Sequence, residues 1–377
     1  MVTRVILVRH GQSTYNLEKR YQGCCDDSVL TARGLEMATQ TGELLRNTEI
    51  HAVYSSPLKR TRQSAIAILN ALELELELNS HENLKEIEMP AWEGLTFQHV
   101  RQNLAEDYQC WKERPHEFQM QRTMAYESNQ SGSVTTLTQS ESHCFPVLEL
   151  YAQAHYFWKE VLPRHLDETI LIVSHGGTIR ALIGTAIGIG CESFHTLQQS
   201  NCGISVLDFP QGLQQPAQLK AMNVTQHLGE AIPKLKEGKL GLRLLLASAQ
   251  DQNSIHQLVQ LLEPIKLDLY LNCESDDVLA QALLKHHSES TVHLKSAQCD
   301  FFDIWHQKLQ ANSNHAESLT TALAIVQPEA IRRVLAQTLT VPYNPAIFSL
   351  KPGTLSILHY PVHHRPVLQA LNFSNPL

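Results

Sequence analysis

The stretch VILVRHGQS (residues 5–13) joins an apolar run directly to an arginine, a histidine and a glycine. The four residues before Arg9 are apolar and mostly β-branched, which is typical of a buried strand. A strand followed by a turn accounts for these residues, but a turn does not require Arg9 or His10. We therefore take Arg9-His10-Gly11 as candidates for chemistry at the end of a strand.

Length and composition limit the classes of protein to consider. With 377 residues, 43% of them hydrophobic, the chain can build a large core, and two domains are expected. It has no apolar run long enough to span a membrane, no signal-peptide layout and eight cysteines without CxxC spacing, so we expect a cytoplasmic protein with reduced thiols. The net charge of −8 argues against nucleic-acid binding, and an anion site would need a local cluster of positive groups.

Strand-like runs alternate with helix-like segments along the first half. The runs at 5–8, 51–56 and 170–177 precede helix patterns near 31–45, 57–69 and 178–189, respectively. This alternation predicts an α/β sheet with both faces covered by helices. Residues 119–143 are polar and without periodicity, and they are predicted to be a mobile surface excursion.

The chain also resembles itself. ILIVSHGGTIRALI (170–183) aligns without a gap on ALAIVQPEAIRRVL (322–335), at an offset of 152 residues. Four more pairs keep the same order: 3–13 with 242–252, 51–60 with 267–276, 202–209 with 353–360, and 220–225 with 369–374. Matches in register predict a tandem duplication. The linker between the copies is predicted around 229–241.

Several polar side chains of the first half follow predicted strands. Besides Arg9 and His10, Arg60 lies in the first turn of the second helix, Glu86 lies in ENLKEIEMPAWEG, and His175 follows ILIVS. Ligands of open α/β sheets bind at this edge. Guanidinium groups match phosphate oxygens, a neutral imidazole is a nucleophile, and a carboxyl group can protonate a leaving oxygen. The set therefore indicates phosphoryl transfer.

Four blocks together carry a family resemblance: RHG, SSPLKRTRQSA (55–65), LKEIEMPAWEG (84–94) and VSHGGTIRAL (173–182). They resemble the histidine phosphatase superfamily, on its phosphoglycerate-mutase-like branch, over about residues 3–225. The resemblance implies a three-layer α/β/α catalytic domain at 1–228. The repeat then places a linker at 229–241 and a smaller, degenerate α/β domain of related fold at 242–377.

The resemblance also implies roles for individual residues. His10 would be the nucleophile that forms a phosphohistidine, while Arg9, Arg60 and His175 hold the phosphoryl group. Glu86 would protonate the leaving alkoxide and then activate water. Further positions are expected to contact phosphate or substrate: Gly11, which would leave room for the phosphate, and Asn16, Gln22, Gly23 and Gly176. No metal or cofactor is expected, because arginine and histidine supply the positive charge.

Other residues compete with these candidates. Arg62 lies close to Arg60, and Glu82, Glu88 and Glu93 flank Glu86. Trp92 is predicted to be a packing residue. His359, His363 and His364 match no zinc pattern, so they are predicted to be exposed loop histidines.

The second copy lacks the chemistry of the first. Ser248-Ala249-Gln250 align with Arg9-His10-Gly11, Gln327 aligns with His175, and Pro328 aligns with Gly176. Arg60 aligns with Asp276 or Asp277, either of which would repel phosphate. We therefore expect a non-catalytic half that packs against the first, covers its cleft or binds a regulator, and packing is favoured.

The leading hypothesis is a metal-independent phosphomonoesterase acting on a small sugar phosphate or phosphoglycerate-like metabolite. One alternative is a phosphoglycerate mutase, but Arg101, Arg114 and Arg122 are scattered instead of forming the adjacent pair of that group. Another is a sensor of phosphorylated metabolites without turnover. Tandem architectures in photosynthetic organisms resemble this one and act on 2-carboxyarabinitol 1-phosphate, which gives a substrate analogy only. Nothing in the sequence fixes the oligomeric state.

Overall fold

The computed structural model describes residues 2–123, 141–236, 238–272, 293–295, 301 and 317–374. The strands are β1 (Thr3–Arg9), β2 (Ala52–Ser55), β3 (Leu78–Ser80), β4 (Met120–Thr123), β5 (Glu141–Cys144), β6 (Thr169–Ser174), β7 (Ile204–Phe209), β8 (Gln218–Val224), β9 (Gly241–Ala247), β10 (Leu269–Asn272), β11 (His293–Lys295), β12 (Leu319–Ile325), β13 (Leu355–Tyr360) and β14 (Val367–Phe373). The helices are α1 (Thr14–Glu18), α2 (Ala32–Leu45), α3 (Lys59–Leu72), α4 (Phe97–Asn103), α5 (Ala105–Glu113), α6 (Pro146–Val161), α7 (Gly176–Ile187), α8 (Gln252–Leu262) and α9 (Pro328–Leu339).

Twelve of these strands form one continuous sheet, in the order β11-β10-β12-β9-β13-β14-β8-β7-β1-β6-β2-β3. In the first half β1, β6, β2 and β3 run parallel, and β7 pairs antiparallel with β1 and β8. In the second half β9, β12, β10 and β11 run parallel, and β13 pairs antiparallel with β9 and β14. The halves join where β14 pairs antiparallel with β8, with Leu371 opposite Met222.

Both faces of the sheet are covered, because strand side chains alternate between two cores. Val5 and Leu7 of β1 belong to the core that includes α6 and α7, whereas Ile6 and Val8 belong to the core that includes α2 and α3. The first of these cores also takes in α9, and the second takes in α8. The three-layer arrangement therefore runs through both halves, which confirms the predicted α/β class.

Capping side chains and prolines mark the first turns of several helices. Thr31 caps α2 by accepting a hydrogen bond from the Gly34 N–H, and a proline occupies the first turn of both α6 and α9. The helix α7 ends at Gly188, whose φ of 86° is accessible to glycine at little cost. Among the described residues, no helix is long and apolar enough to cross a membrane.

The structure corrects two predictions. The segment 119–143 is not irregular at its ends, since β4 and β5 pair with each other; residues 124–140 lie outside the described part. His359 is not an exposed loop residue: it lies in β13 with 1% of its surface exposed, and its Nε2 lies 3.1 Å from the Leu240 carbonyl oxygen. The apolar pattern of β13 extends through this position, so His359 is buried with its neighbours. The prediction that Trp92 packs in the core is confirmed, since 1% of it is exposed.

Candidate active site

The parallel pairing of β1 and β6 brings the two candidate histidines together. Arg9 pairs with Ser174, so the next residue of each strand, His10 or His175, emerges at the same edge of the sheet. Their ring centroids are 5.3 Å apart, at an interplanar angle of 65°. The chain leaves β1 toward α2 on one face and leaves β6 toward α7 on the other, which opens a crevice between the two strand ends.

The hydrogen bond of His10 decides which nitrogen can react. Its Nδ1 lies 2.7 Å from the Gly11 carbonyl oxygen, and a carbonyl can only accept, so we assign the proton to Nδ1. The lone pair is then on Nε2. Burial, followed by the positive charges of Arg9 and Arg60, holds the pKa of His10 well below its usual 6.5. The imidazole is therefore neutral at pH 7, the form that a nucleophile needs.

Two arginines are held in place by backbone carbonyl groups. Arg60 is fully buried and donates from Nη1 to the Cys25 oxygen and from Nη2 to the Gly23 oxygen, each at 2.9 Å. Arg9 donates from Nη1 to the Gln199 oxygen at 3.0 Å. Burial lowers the pKa of Arg9 to about 10 and also lowers that of Arg60. Both guanidinium groups remain charged at neutral pH.

Three nitrogens of this cluster have no hydrogen-bond partner among the described residues: Nε of Arg9, Nε of Arg60 and Nδ1 of His175. The other ring nitrogen of His175 lies 2.9 Å from the Ser56 hydroxyl. Buried nitrogens are paired in the great majority of cases, so three such atoms in one cluster are unusual. Their chemistry fits the oxygens of a phosphoryl group.

Glu86 lies at the start of α7. Its carboxylate accepts hydrogen bonds from the backbone N–H groups of Gly177 at 3.3 Å and Thr178 at 3.2 Å. A Cβ at position 177 would lie 2.5 Å from Glu86 Oε1, so glycine there makes room for the carboxylate. Glu86 also lines a cleft at the ends of β1 and β6, and among the described residues that line this cleft it carries the one carboxylate.

The competing residues are engaged elsewhere. Glu82 pairs with Lys85, and Glu88 pairs with Arg122. Glu93 accepts hydrogen bonds from the backbone of the loop that holds Arg60, at 2.6 Å and 3.1 Å. Arg62 is exposed on the side of α3 away from the buried Arg60. The geometry therefore favours Arg60 and Glu86 over their sequence neighbours.

The cleft has a volume of about 420 Å³. Four of the expected phosphate or substrate contacts line it: Asn16, Gln22, Gly23 and Gly176. Gly11 does not. Its N–H donates to the Ser64 hydroxyl, and a Cβ there would lie 2.2 Å from the Gly34 carbonyl oxygen. Gly11 thus makes room for the start of α2, and the expectation that it makes room for phosphate is not supported.

Sequence reasoning missed several residues of the site. Asn201 donates to the His10 carbonyl oxygen at 3.0 Å and to Asn16 Oδ1 at 2.9 Å. Arg180 and Lys236 also line the cleft. Arg180 lies inside the VSHGGTIRAL block and one helical turn beyond Gly176, so the helical period could have found it. Asn201 and Lys236 are brought in by later parts of the chain, and no local pattern marks them.

Comparisons with known proteins agree with this geometry. A family model described as "Histidine phosphatase superfamily (branch 1)" matches residues 5–223. A "Probable 2-carboxy-D-arabinitol-1-phosphatase" of Arabidopsis thaliana is 36% identical over 55% of this chain and 38% of its own length. "Phosphoserine phosphatase 1" of Hydrogenobacter thermophilus is 30% identical over 61% of this chain and 96% of its own. A "Probable phosphoglycerate mutase GpmB" of Salmonella choleraesuis is 30% identical over 55% of this chain and 85% of its own.

These matches differ in how much of each relative they cover. The chain spans less than half of the length of the Arabidopsis relative and nearly all of the Hydrogenobacter one. All three matches cover between 55% and 61% of this chain, and the family model ends before β8 does. The family model nevertheless matches more than half of the residues, and the chain belongs to the histidine phosphatase superfamily, branch 1.

Proposed function

We propose that this protein is a metal-independent phosphomonoesterase that hydrolyses a small phosphorylated metabolite through a phosphohistidine. One observation carries the proposal: the neutral His10 lies beside Arg9, Arg60 and His175, and each of these three has a buried nitrogen without an acceptor among the described residues. Nε2 of His10 is a nucleophile, and the other three groups can donate to the phosphoryl oxygens. The relatives named as phosphatases support the same reaction class.

The first step forms the covalent intermediate. Nε2 of His10 attacks the phosphorus, and the bond between phosphorus and the ester oxygen breaks. The leaving alkoxide takes a proton from Glu86, whose carboxyl group lines the cleft beside the start of α7. Arg9 and Arg60 offset the charge that develops on the phosphoryl oxygens. The alcohol product then leaves.

The second step regenerates the enzyme. Glu86, now a carboxylate, takes a proton from water, and the oxygen of that water attacks the phosphorus of the phosphohistidine. The bond between phosphorus and Nε2 breaks, which releases phosphate and the neutral imidazole. Asn16, Gln22, Gly23 and Gly176 line the cleft and are proposed to contact phosphate or substrate.

We further propose that residues 1–228 form the catalytic domain, 229–241 the linker and 242–377 a degenerate, non-catalytic copy. The sheet order supports a duplication, since it reads as two six-strand arrangements joined by β8 and β14. Two pairs of equivalent elements also have nearly the same offset: α7 and α9 begin 152 residues apart, and β7 and β13 begin 151 residues apart. In register, Val8 of β1 corresponds to Ala247 of β9, because each pairs with equivalent residues of its two neighbours. Ser248 and Ala249 then stand where the first half has Arg9 and His10.

Two asparagines at the junction support the same proposal. Asn223 and Asn372 both have positive φ, 52° and 50°, which few residues other than glycine and asparagine adopt readily. Asn223 Nδ2 donates to the Gln369 oxygen at 2.7 Å, and Asn372 Nδ2 donates to the Lys220 oxygen at 2.6 Å. Each bond therefore reaches the residue three positions before the other asparagine, as a two-fold relation between the halves requires.

The test is the variant His10→Ala in the full chain. We expect wild-type enzyme to acquire acid-labile phosphate from substrate and His10→Ala to acquire none. Turnover should fall to background, because Ala249 of the second half offers no replacement nucleophile. Retained turnover in this variant would refute the mechanism and the non-catalytic assignment of the second half together.

A second assay separates hydrolysis from phosphoryl transfer to another hydroxyl. With 3-phosphoglycerate and no added metal, a phosphatase releases inorganic phosphate, whereas a mutase forms 2-phosphoglycerate. The assay includes 2-phosphoglycerate as a product because one similar protein is named as a probable phosphoglycerate mutase. We expect free phosphate, and conversion to 2-phosphoglycerate would overturn the proposed reaction.

A further inference from the structure

Ser56 is brought to His175 by the pairing of two parallel strands. Ser55 of β2 is opposite Val173 of β6, and the Ser56 N–H continues the ladder by donating to the Val173 oxygen at 3.3 Å. Both strands end here, and the Ser56 hydroxyl lies 2.9 Å from Nε2 of His175. Both side chains are fully buried. The contact between the serine and the imidazole is therefore shielded from solvent.

The hydroxyl hydrogen of Ser56 has one acceptor within reach. The hydroxyl oxygen accepts a hydrogen bond from the Leu58 N–H at 3.3 Å, and this bond does not use the hydrogen. Among the described residues, the other partner of the hydroxyl is Nε2 of His175. A buried hydroxyl hydrogen without an acceptor costs free energy. The hydroxyl therefore donates to Nε2, and Nε2 carries the lone pair.

This hydrogen bond decides where the proton of His175 lies. Burial, followed by the positive charge of Arg60, holds the pKa of His175 well below its usual 6.5, so the ring is neutral at pH 7. A neutral imidazole carries one N–H, and with Nε2 as the acceptor the hydrogen must be on Nδ1. Nδ1 is buried and has no hydrogen-bond partner among the described residues. Its N–H is thus available to a phosphoryl oxygen.

The two histidines of the site then offer opposite groups to one phosphoryl group. In His10 the Nδ1–H is bound to the Gly11 carbonyl oxygen, which leaves the lone pair of Nε2 to attack phosphorus. In His175 the lone pair of Nε2 is bound to the Ser56 hydroxyl, which leaves the Nδ1–H to donate to an oxygen. The reversed tautomer of His175 would present a lone pair to an oxygen that is itself negative.

We propose that Ser56 is a positioning residue that fixes the proton of His175 on Nδ1, so that this nitrogen donates to the phosphoryl oxygens in the transition state. The assignment rests on the proposed phosphatase activity. Ser56 does not line the cleft, and it acts through His175. Its partners all belong to the fold, so the tautomer is set before a substrate binds.

The first test removes the hydroxyl and uses p-nitrophenyl phosphate as the probe. We expect Ser56→Ala to lower kcat/KM about 10-fold, mainly through kcat, because one hydrogen bond to the transition state is weakened. Ser55→Ala is the matched control. Ser55 is equally buried, and its hydroxyl has no hydrogen-bond partner among the described residues, so this variant should keep the wild-type kinetics.

A double-mutant cycle separates this role from an effect on the helix that carries Arg60. Ser56 also accepts from the Leu58 N–H at the start of α3, so its loss could act through that helix. His175→Asn removes Nε2 and with it the proposed partner. If Ser56 acts through His175, Ser56→Ala lowers kcat/KM in the wild-type background and no further in His175→Asn. An equal loss in both backgrounds would overturn the positioning role.

The tautomer can also be observed without turnover. In protein with nitrogen-labelled histidine, NMR distinguishes a protonated ring nitrogen from one with a lone pair, and the signal of His175 is the one that His175→Asn lacks. We expect the proton on Nδ1 in wild type and a shift toward Nε2 in Ser56→Ala. A proton on Nε2 in wild type, or unchanged kcat/KM in Ser56→Ala, would overturn the assignment while the phosphatase activity stands. A wild-type enzyme that releases phosphate from no phosphomonoester would refute the proposed function, and the role of Ser56 in it, whatever the tautomer.

Discussion

Gly177 provides a way to displace the proposed proton donor without removing it. A Cβ at this position would lie 2.5 Å from Glu86 Oε1, whereas ordinary contacts begin at 3.4 Å. In Gly177→Ala the carboxyl group must therefore retreat by about 0.9 Å, the difference between these distances. Its hydrogen bonds from the Gly177 and Thr178 N–H groups, at 3.3 and 3.2 Å, must lengthen or break.

The displacement predicts the size of the effect. A misplacement of about 1 Å in a catalytic group lowers the rate on the order of 100-fold, equivalent to about 2.7 kcal/mol in the activation free energy. Global stability should be kept, because alanine is favoured over glycine within a helix by about 0.5–1 kcal/mol. We expect kcat for an alkyl phosphate such as 3-phosphoglycerate to fall about 100-fold while the urea unfolding midpoint changes little.

The leaving group distinguishes loss of the acid from general damage. The phenolate of p-nitrophenyl phosphate leaves without a proton, so its hydrolysis should fall less than about 10-fold in Gly177→Ala. The comparator is Glu86→Gln, which keeps the shape of the side chain and removes the acid. The double variant should be no slower than Glu86→Gln, because both substitutions act on one group. Equal losses for both esters, or additive losses in the double variant, would refute the role of Glu86.

Two further predictions concern stability. Because burial holds the pKa values of His10 and His175 well below 6.5, only the unfolded chain gains their protons as the pH falls below 6.5. The free energy of unfolding should then drop by about 1 kcal/mol for each histidine between pH 6.5 and pH 5.5, since the unfolded histidine is half protonated at the first pH and mostly protonated at the second. His175→Asn should remove one such share. Urea titrations at the two pH values measure the difference, and a difference unchanged by the substitution would contradict the prediction. In the second half, Asn372→Ala removes the side-chain donor to the Lys220 and Ser349 oxygens, and it replaces a residue that is suited to positive φ. Urea denaturation should show a free energy of unfolding that is lower by about 3 kcal/mol. A loss below about 1 kcal/mol would contradict the structural role of these two hydrogen bonds.

Local sequence was sufficient to predict most of the strands and helices of the first half. The apolar run before Arg9 predicts β1, and the repeated strand-then-helix pattern predicts the α/β class, because periodicity and β-branching act within a few residues. Errors came where tertiary context decides the outcome. His359 reads as a loop residue beside His363 and His364, but the backbone of β13 carries it into the core. The polar segment 119–143 gives no local signal for the pairing of β4 with β5, because two such short strands form only when they pair with each other.

The residues of the candidate site also fall into those that local sequence indicates and those that only the tertiary structure reveals. The sequence by itself indicated Arg9, Arg60 and His175, because they end a strand, lie in the first turn of a helix and follow a strand, respectively. Glu86 lies in a loop, and only the family resemblance of its sequence block indicated it. Only the tertiary structure decided which atoms of these groups face one another, and it brought Asn201 and Lys236 to the cleft. Gly11 illustrates the difference: its neighbour is Gly34 in α2, a contact that no local pattern reveals. Residues far apart in the chain meet through strand register and shared cores, and these are properties of the whole sheet.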